Sequence, residues 1–251
     1  MDKVSALRKY FGLDGFRPGQ ERLIDDILSG RDCLGIMPTG GGKSLCYQLP
    51  ALLLPGLTLV VSPLISLMKD QVEALREDGI PAAYLNSSLD TQERREVLAG
   101  LGRGEFRLLY IAPERLDSRA FASLAQELEI SLVAVDEAHC VSQWGQDFRP
   151  SYLAIEPFIA SLPRRPVVAA FTATATPAVR DDILRLIQII DDVTDAIDDV
   201  TIKLYMFSIR QLPGETLMLA ERVRNCVQAL AAAIAELRNF KKPDKLGTLL
   251  V

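Results

Sequence analysis

The 251-residue sequence has no apolar run near the ~20 residues that a membrane-spanning helix requires, and its longest apolar stretches are strand-sized. It begins Met1-Asp-Lys-Val-Ser, without a basic segment leading into an apolar one, so no secretory signal is expected and the default location is cytoplasmic. Cysteines are few: Cys33, Cys46, Cys140 and Cys226 stand far apart with no C-x-x-C spacing, which argues against a zinc ribbon and a disulfide scaffold. Positive charge is not in excess. The 28 Lys and Arg against 33 Asp and Glu leave a formal charge of -5, which rules out a globally basic nucleic-acid coat. A local basic track remains compatible, because phosphate contacts depend on where charges lie rather than on their sum.

What is present is about half apolar and a quarter charged, enough for one large core, or one core with a small appendage. Over residues 31–176, short β-rich runs alternate with helix-like segments. The candidate strands are 32–37, 57–62, 82–85, 107–112, 132–135 and 167–171, with helical spacing at 45–54, 64–77 and 91–101. Such alternation predicts an α/β fold with a doubly wound, mainly parallel sheet. Polar, Gly- and Pro-rich clusters come directly after each strand, at 39–44, 62–63, 86–88, 113–114, 136–139 and 172–176. Ligands of open α/β sheets sit at the carboxyl ends of the strands, so these clusters predict one continuous working edge.

The texture changes after about residue 190. Ile189, Val193, Ile197, Val200, Leu204 and Phe207 form a helical stripe, a turn comes at 211–215, and Leu219, Val223, Val227, Leu230, Ile234 and Leu237 repeat the stripe. The expectation is a domain over 1–188 and a C-terminal α-helical hairpin over 189–251.

Met37-Pro-Thr-Gly-Gly-Gly-Lys-Ser44 comes after a strand and precedes a helix-forming run. Consecutive glycines let the backbone turn its N–H groups around phosphate oxygens, and the helix starting near Lys43 adds its positive end. Thr39, Gly40, Gly41 and Gly42 would form that cradle, Lys43 would neutralise β/γ-phosphate charge and Ser44 would ligate magnesium. Met37 occupies the position that the general P-loop pattern gives to glycine. Asp136 and Glu137 end an apolar run; the first carboxylate suits magnesium, and the second could orient and deprotonate an attacking water. His139, the sole histidine of the sequence, lies three residues beyond Asp136.

These motifs, in this order, resemble the first RecA-like motor domain of RecQ-family DNA helicases, over about residues 7–186. The resemblance implies ATP with magnesium as cofactors, and Lys43, Asp136, Glu137 and His139 as catalytic residues. Phe16-Arg-Pro-Gly-Gln20 resembles the family motif in which Arg17 and Gln20 contact adenine; an amide that both donates and accepts can read N6 and N7. Leu13 stands where many members have an aromatic residue against the base. The run from Val61-Ser62-Pro63 through Gln71 resembles motif Ia, with Asn86 and Ser87 in the next DNA-facing loop. Tyr110-Ile-Ala-Pro-Glu-Arg115 resembles a further strand-contacting motif. Phe171-Thr172-Ala-Thr174-Ala-Thr176 resembles motif III, thought in the family to link nucleotide state to DNA contacts.

Cys140-Val-Ser-Gln143-Trp144-Gly-Gln146-Asp-Phe148-Arg149 resembles the family's aromatic-rich loop, with Gln146 in place of the usual histidine. Trp144 is the only tryptophan. On a polar loop, Trp144 and Phe148 could stack on unpaired bases at ~1–3 kcal/mol each, with Arg149 meeting phosphate or base. The implied partner is DNA, single-stranded or at single/double-strand junctions, and no membrane.

Residues 190–251 are similar instead to part of a PhoU-like helical bundle. Asp191, Asp195 and Asp199 fall at i, i+4 and i+8, where they could share a helix face and a metal, or simply favour a helix start. Self-association through the hairpin is one way to cover its apolar stripes. Helicases of this superfamily use two RecA-like domains, and the sequence after residue 190 leaves no room for the second. The expectation is therefore ATP–magnesium binding with weak hydrolysis and no unaided duplex unwinding. The alternative is a helical metal-binding or phosphate-regulation-like module fused to a vestigial nucleotide-binding domain.

Overall fold

The structure, a computed structural model, describes residues 1–144 and 147–187. The expected hairpin of 189–251 with Asp191, Asp195 and Asp199, and the position of Gln146, lie outside the described residues. The chain opens with α1 (Lys3–Phe11) and α2 (Gln20–Leu28), which the strand–helix alternation did not anticipate. Asp2 starts α1 by accepting the amides of Val4 and Ser5, both at 3.0 Å.

The alternating part begins with β1 (Cys33–Ile36), α3 (Leu45–Leu53), β2 (Leu57–Val61), α4 (Ile65–Glu77), β3 (Ala82–Leu85), α5 (Thr91–Gly102) and β4 (Leu108–Ile111). It continues as α6 (Arg119–Ala125), β5 (Ile130–Val135), α7 (Ile155–Ser161) and β6 (Val167–Thr172). Residues 177–187 are again helical. Each expected strand is present within two residues. The sheet order is β1-β6-β5-β2-β4-β3, and every pairing is parallel.

The strands are apolar on both faces because both are covered. Along β2, Leu57, Leu59 and Val61 pack toward α6 and α7, with Phe121, Ile155 and Phe158. Val60 packs on the opposite face with Tyr47 of α3 and Met68, Val72 and Leu75 of α4. The same alternation runs through β4, β5 and β6, giving three layers with the sheet in the middle. Each fully buried large side chain contributes about 1.5–3 kcal/mol of apolar transfer energy, and Tyr47, Phe121 and Phe171 are among the largest of them.

Sheet order sets what becomes adjacent at the carboxyl edge. The loop after β1 lies next to the end of β6, then β5, then β2. Direct backbone bonds tie these ends together: Met37 N to Thr172 O at 3.0 Å and Asp136 N to Val61 O at 2.9 Å. Among the described residues no helix is long and apolar enough to cross a membrane.

Candidate active site

The loop after β1 turns at Pro38–Gly41, where Gly41 N donates to Pro38 O at 2.9 Å. Gly40 and Gly42 are left-handed, with φ of 76° and 80°, where a side chain would be strained. At Gly41 a Cβ would stand 2.8 Å from Pro38 O. All three glycines are thus required by the path of the backbone. The helix begins at Leu45, yet its first turn already uses the carbonyls of Lys43 and Ser44, which accept Cys46 N at 3.0 Å and Gln48 N at 2.9 Å. Met37, standing where the P-loop pattern has glycine, is buried with Cys46 and Tyr47 beneath the loop and does not intrude on it.

Gln20 holds this loop from outside. Its amide nitrogen donates to Gly42 O at 3.1 Å, and its amide oxygen accepts Arg17 N at 2.8 Å. The Arg17 guanidinium donates to Gly40 O at 2.5 Å, and Lys43 Nζ to Met37 O at 3.4 Å. A cavity of about 470 Å³ opens here, running from Leu13 and Arg17 past Lys43 and Ser44 to Asp136 and Glu137.

Asp136 closes β5. Burial, and then the charge of Glu137, push its carboxyl up to about 6, with Lys43 and His139 acting in the other direction. An ionised Asp136 therefore lacks a full counter-charge, and a cation between it and Ser44 would supply one. Glu137 is the one non-glycine residue with positive φ among the described residues, at φ 46° and ψ 47°. That conformation swings its carboxylate toward His139, whose Nδ1 lies 3.2 Å from Glu137 Oε2 and 3.0 Å from Thr172 Oγ1. Thr172 donates its single hydroxyl proton to Thr174 O at 2.9 Å, so toward His139 it can only accept. Nδ1 of His139 therefore carries the proton.

The loop beyond His139 is closed at its neck by Arg149 N donating to Cys140 O at 2.9 Å. Arg149 also donates to Pro63 O at 2.8 Å, tying the loop to the segment after β2. Ser142, buried, donates to Asp182 at 2.7 Å and accepts Trp144 N at 3.2 Å. Trp144 is 78% exposed, the most exposed large hydrophobic residue described.

Of the residues expected to meet nucleic acid, Ser87, Gln143, Trp144 and Thr174 are exposed, Phe148 and Arg149 half-buried, and Ser62, Asn86 and Thr172 buried. Asn86 faces inward and shapes its own loop, its Oδ1 accepting Ser88 N at 2.9 Å and Ser88 Oγ at 2.7 Å. Sequence reasoning missed two polar groups behind the site, Gln48 and Tyr152. Gln48 donates to Gln71 Oε1 at 3.0 Å and to Tyr110 OH at 2.9 Å, and Tyr152 OH donates to Asp136 O at 2.8 Å. A buried glutamine in the apolar run of α3 was the one available signal.

A glycine cradle at the head of a helix, two carboxylates at the end of the next strand but one and a wholly parallel sheet define a RecA-like, P-loop motor domain. The chain belongs to the DEAD/DEAH box helicase family, which matches residues 17–183, and within it carries the first motor domain of the RecQ type. It is 55% identical over 188 residues to the ATP-dependent DNA helicase RecQ of Bacillus subtilis (strain 168), an alignment covering 74% of this chain and 32% of that protein. The RecQ of Pasteurella multocida (strain Pm70) is 52% identical over 182 residues, covering 72% of this chain and 29% of its own length. The chain thus spans about a third of the length of these relatives. A hypothetical ATP-dependent RNA helicase from Sulfolobus tokodaii shares the fold at a TM-score of 0.59 and 22% identity, over 74% of this chain and 54% of the other.

Proposed function

We propose that residues 1–188 bind and hydrolyse ATP with magnesium, in the cytoplasm, and couple that cycle to DNA strands held along the carboxyl edge of the sheet. The observation that carries this reading is the adjacency of Asp136–His139 to the loop ending in Arg149, with His139 joined to the β1 loop through Thr172 and Arg149 joined to the segment after β2 through Pro63 O. Thr39, Gly40, Gly41, Gly42 and Lys43 hold the phosphates, with Arg17 and Gln20 on the base side. Ser44 and Asp136 hold magnesium, whose chemistry is to neutralise charge on the phosphate oxygens. Glu137 orients the attacking water, and His139 carries the state of that carboxylate to Thr172 and Thr174.

On the DNA side, Trp144 and Phe148 offer stacking faces and Arg149 a phosphate contact, with Ser87 and Gln143 exposed along the same edge and Ser62 and Asn86 shaping it from behind. Support comes from the family match over 17–183 and from relatives named as ATP-dependent DNA helicases. The same match disfavours a vestigial nucleotide domain. Residues 189–251 form a separate unit in this reading, and the apolar stripes of that sequence are a site of self-association. The test is phosphate release by the full chain with and without single-stranded DNA, with Lys43→Ala as blank. DNA-stimulated release lost in that variant supports the reading, and release indifferent to DNA overturns the coupling.

A further inference from the structure

The segment that returns from the loop after His139 enters a short 3-10 turn, Pro150–Ala154, and drops the ring of Tyr152 into the core below β5. Tyr152 is fully buried, and its hydroxyl crosses the neck of the loop to the carbonyl of Asp136, 2.8 Å away. That carbonyl belongs to the peptide that links Asp136 to Glu137, the residue in the left-handed conformation. On the far side of the same peptide, Glu137 N donates to Asp136 Oδ1 at 3.0 Å. The plane of this peptide is therefore held from both ends, by Tyr152 at the oxygen and by Asp136 at the nitrogen. Rotating it would move the Glu137 carboxylate away from His139.

The neck gives the bond a mechanical setting. Arg149, bonded through its amide to Cys140 O and through its guanidinium to Pro63 O, caps the turn that carries Tyr152. A strand that displaces Arg149 shifts the turn, and the turn is pinned to Asp136 by one hydroxyl. We propose that Tyr152 is a positioning residue for Glu137, tying the neck of the loop to the carboxylate beside His139. This rests on the function proposed above, in which Glu137 orients water.

The test uses the full chain and its Tyr152→Phe variant, which keeps the ring and removes only the hydroxyl, with Tyr84→Phe on the edge strand β3 as control. Thermal unfolding checks that each variant is folded. Because the sequence contains a single histidine, its imidazole gives one unambiguous nitrogen-correlated NMR signal. That signal is expected to report the Nδ1–H tautomer in the unaltered protein and in Tyr84→Phe, and to move toward a tautomer mixture in Tyr152→Phe.

In turnover with single-stranded DNA, Tyr152→Phe should lower kcat by ~10- to 100-fold, the scale of a misplaced reacting group, with KM for ATP held within ~3-fold. An imidazole spectrum unchanged by Tyr152→Phe overturns the proposal, as does a shifted spectrum with unchanged kcat. Should the unaltered protein release no phosphate with or without DNA, the function reading fails, and the spectrum alone decides whether Tyr152 positions Glu137.

Discussion

The imidazole of His139 is hydrogen-bonded through Nδ1 to Thr172 Oγ1, at 3.0 Å, with Glu137 Oε2 3.2 Å from the same nitrogen. One end of this bond lies on the carboxylate pair after β5 and the other on the end of β6, which itself carries the β1 loop through Met37 N. Thr172→Val keeps the shape and removes the acceptor. The buried hydroxyl also donates to Thr174 O, so the variant should lose about 1–3 kcal/mol of stability, read as a lower midpoint in urea. Nucleotide affinity is expected to hold while kcat falls by ~10-fold or more, read by phosphate release. An unchanged kcat would remove Thr172 from the coupling path.

The proposed cation site at Asp136 should be sensitive to pH. Burial raises its carboxyl from the ordinary 3.8 to about 6, so the folded protein favours the protonated form. The group's contribution to stability is therefore fully present below about 4 and is lost as pH rises through about 6. At neutral pH the ionised carboxylate costs on the order of 3 kcal/mol, an amount that a bound cation offsets. Magnesium-dependent nucleotide binding should therefore weaken as pH falls through about 6. Asp136→Asn should unfold at a higher temperature than the unaltered protein at pH 7.5 without magnesium, a difference that shrinks at pH 5. Calorimetric titration across that range checks the first expectation and thermal scans the second.

Gly42 offers a steric test of the loop. Its φ is 80°, and a Cβ there would run into the Gln20 amide. Gly42→Ala should cost about 1–3 kcal/mol through backbone strain and release Gln20 from the Gly42 carbonyl. Binding of ATP should fall at least ~10-fold, measured by fluorescence titration. Gly79→Ala is the matched control, since its φ is 74°, nothing stands within 4 Å of a Cβ there, and it does not line the cavity.

The strands were legible because each is a short β-rich run stopped by Gly, Pro or a polar cluster. The nucleotide side was legible for the same reason, since its residues fall directly after those runs. Helices α6 and α7 are seven residues each, too short to show a period, and Pro157 stands inside the second. Asn86 shows the limit of reading a polar residue at a strand end as outward-facing. Its side chain satisfies the Ser88 amide within its own loop and stays buried. Tyr152 and Gln48 act through partners 16 and 62 positions away in sequence. No local pattern encodes which strand end or which helix will face them.

Trp144 separates binding from folding. It is 78% exposed, and its backbone amide, not its ring, is what Ser142 holds. A ring with so little buried area contributes little to stability, so Trp144→Ala should leave the unfolding free energy within about 0.5 kcal/mol of the unaltered protein. A base stacked on that ring is worth ~1–3 kcal/mol. Affinity for single-stranded DNA should therefore drop by roughly 5- to 150-fold, read by fluorescence anisotropy of a labelled oligonucleotide. Trp144→Phe should recover part of the loss, because a smaller aromatic face still stacks, whereas Trp144→Leu should not. Equal affinities for the Phe and Leu variants would show that area alone is being read, and would take stacking out of the account.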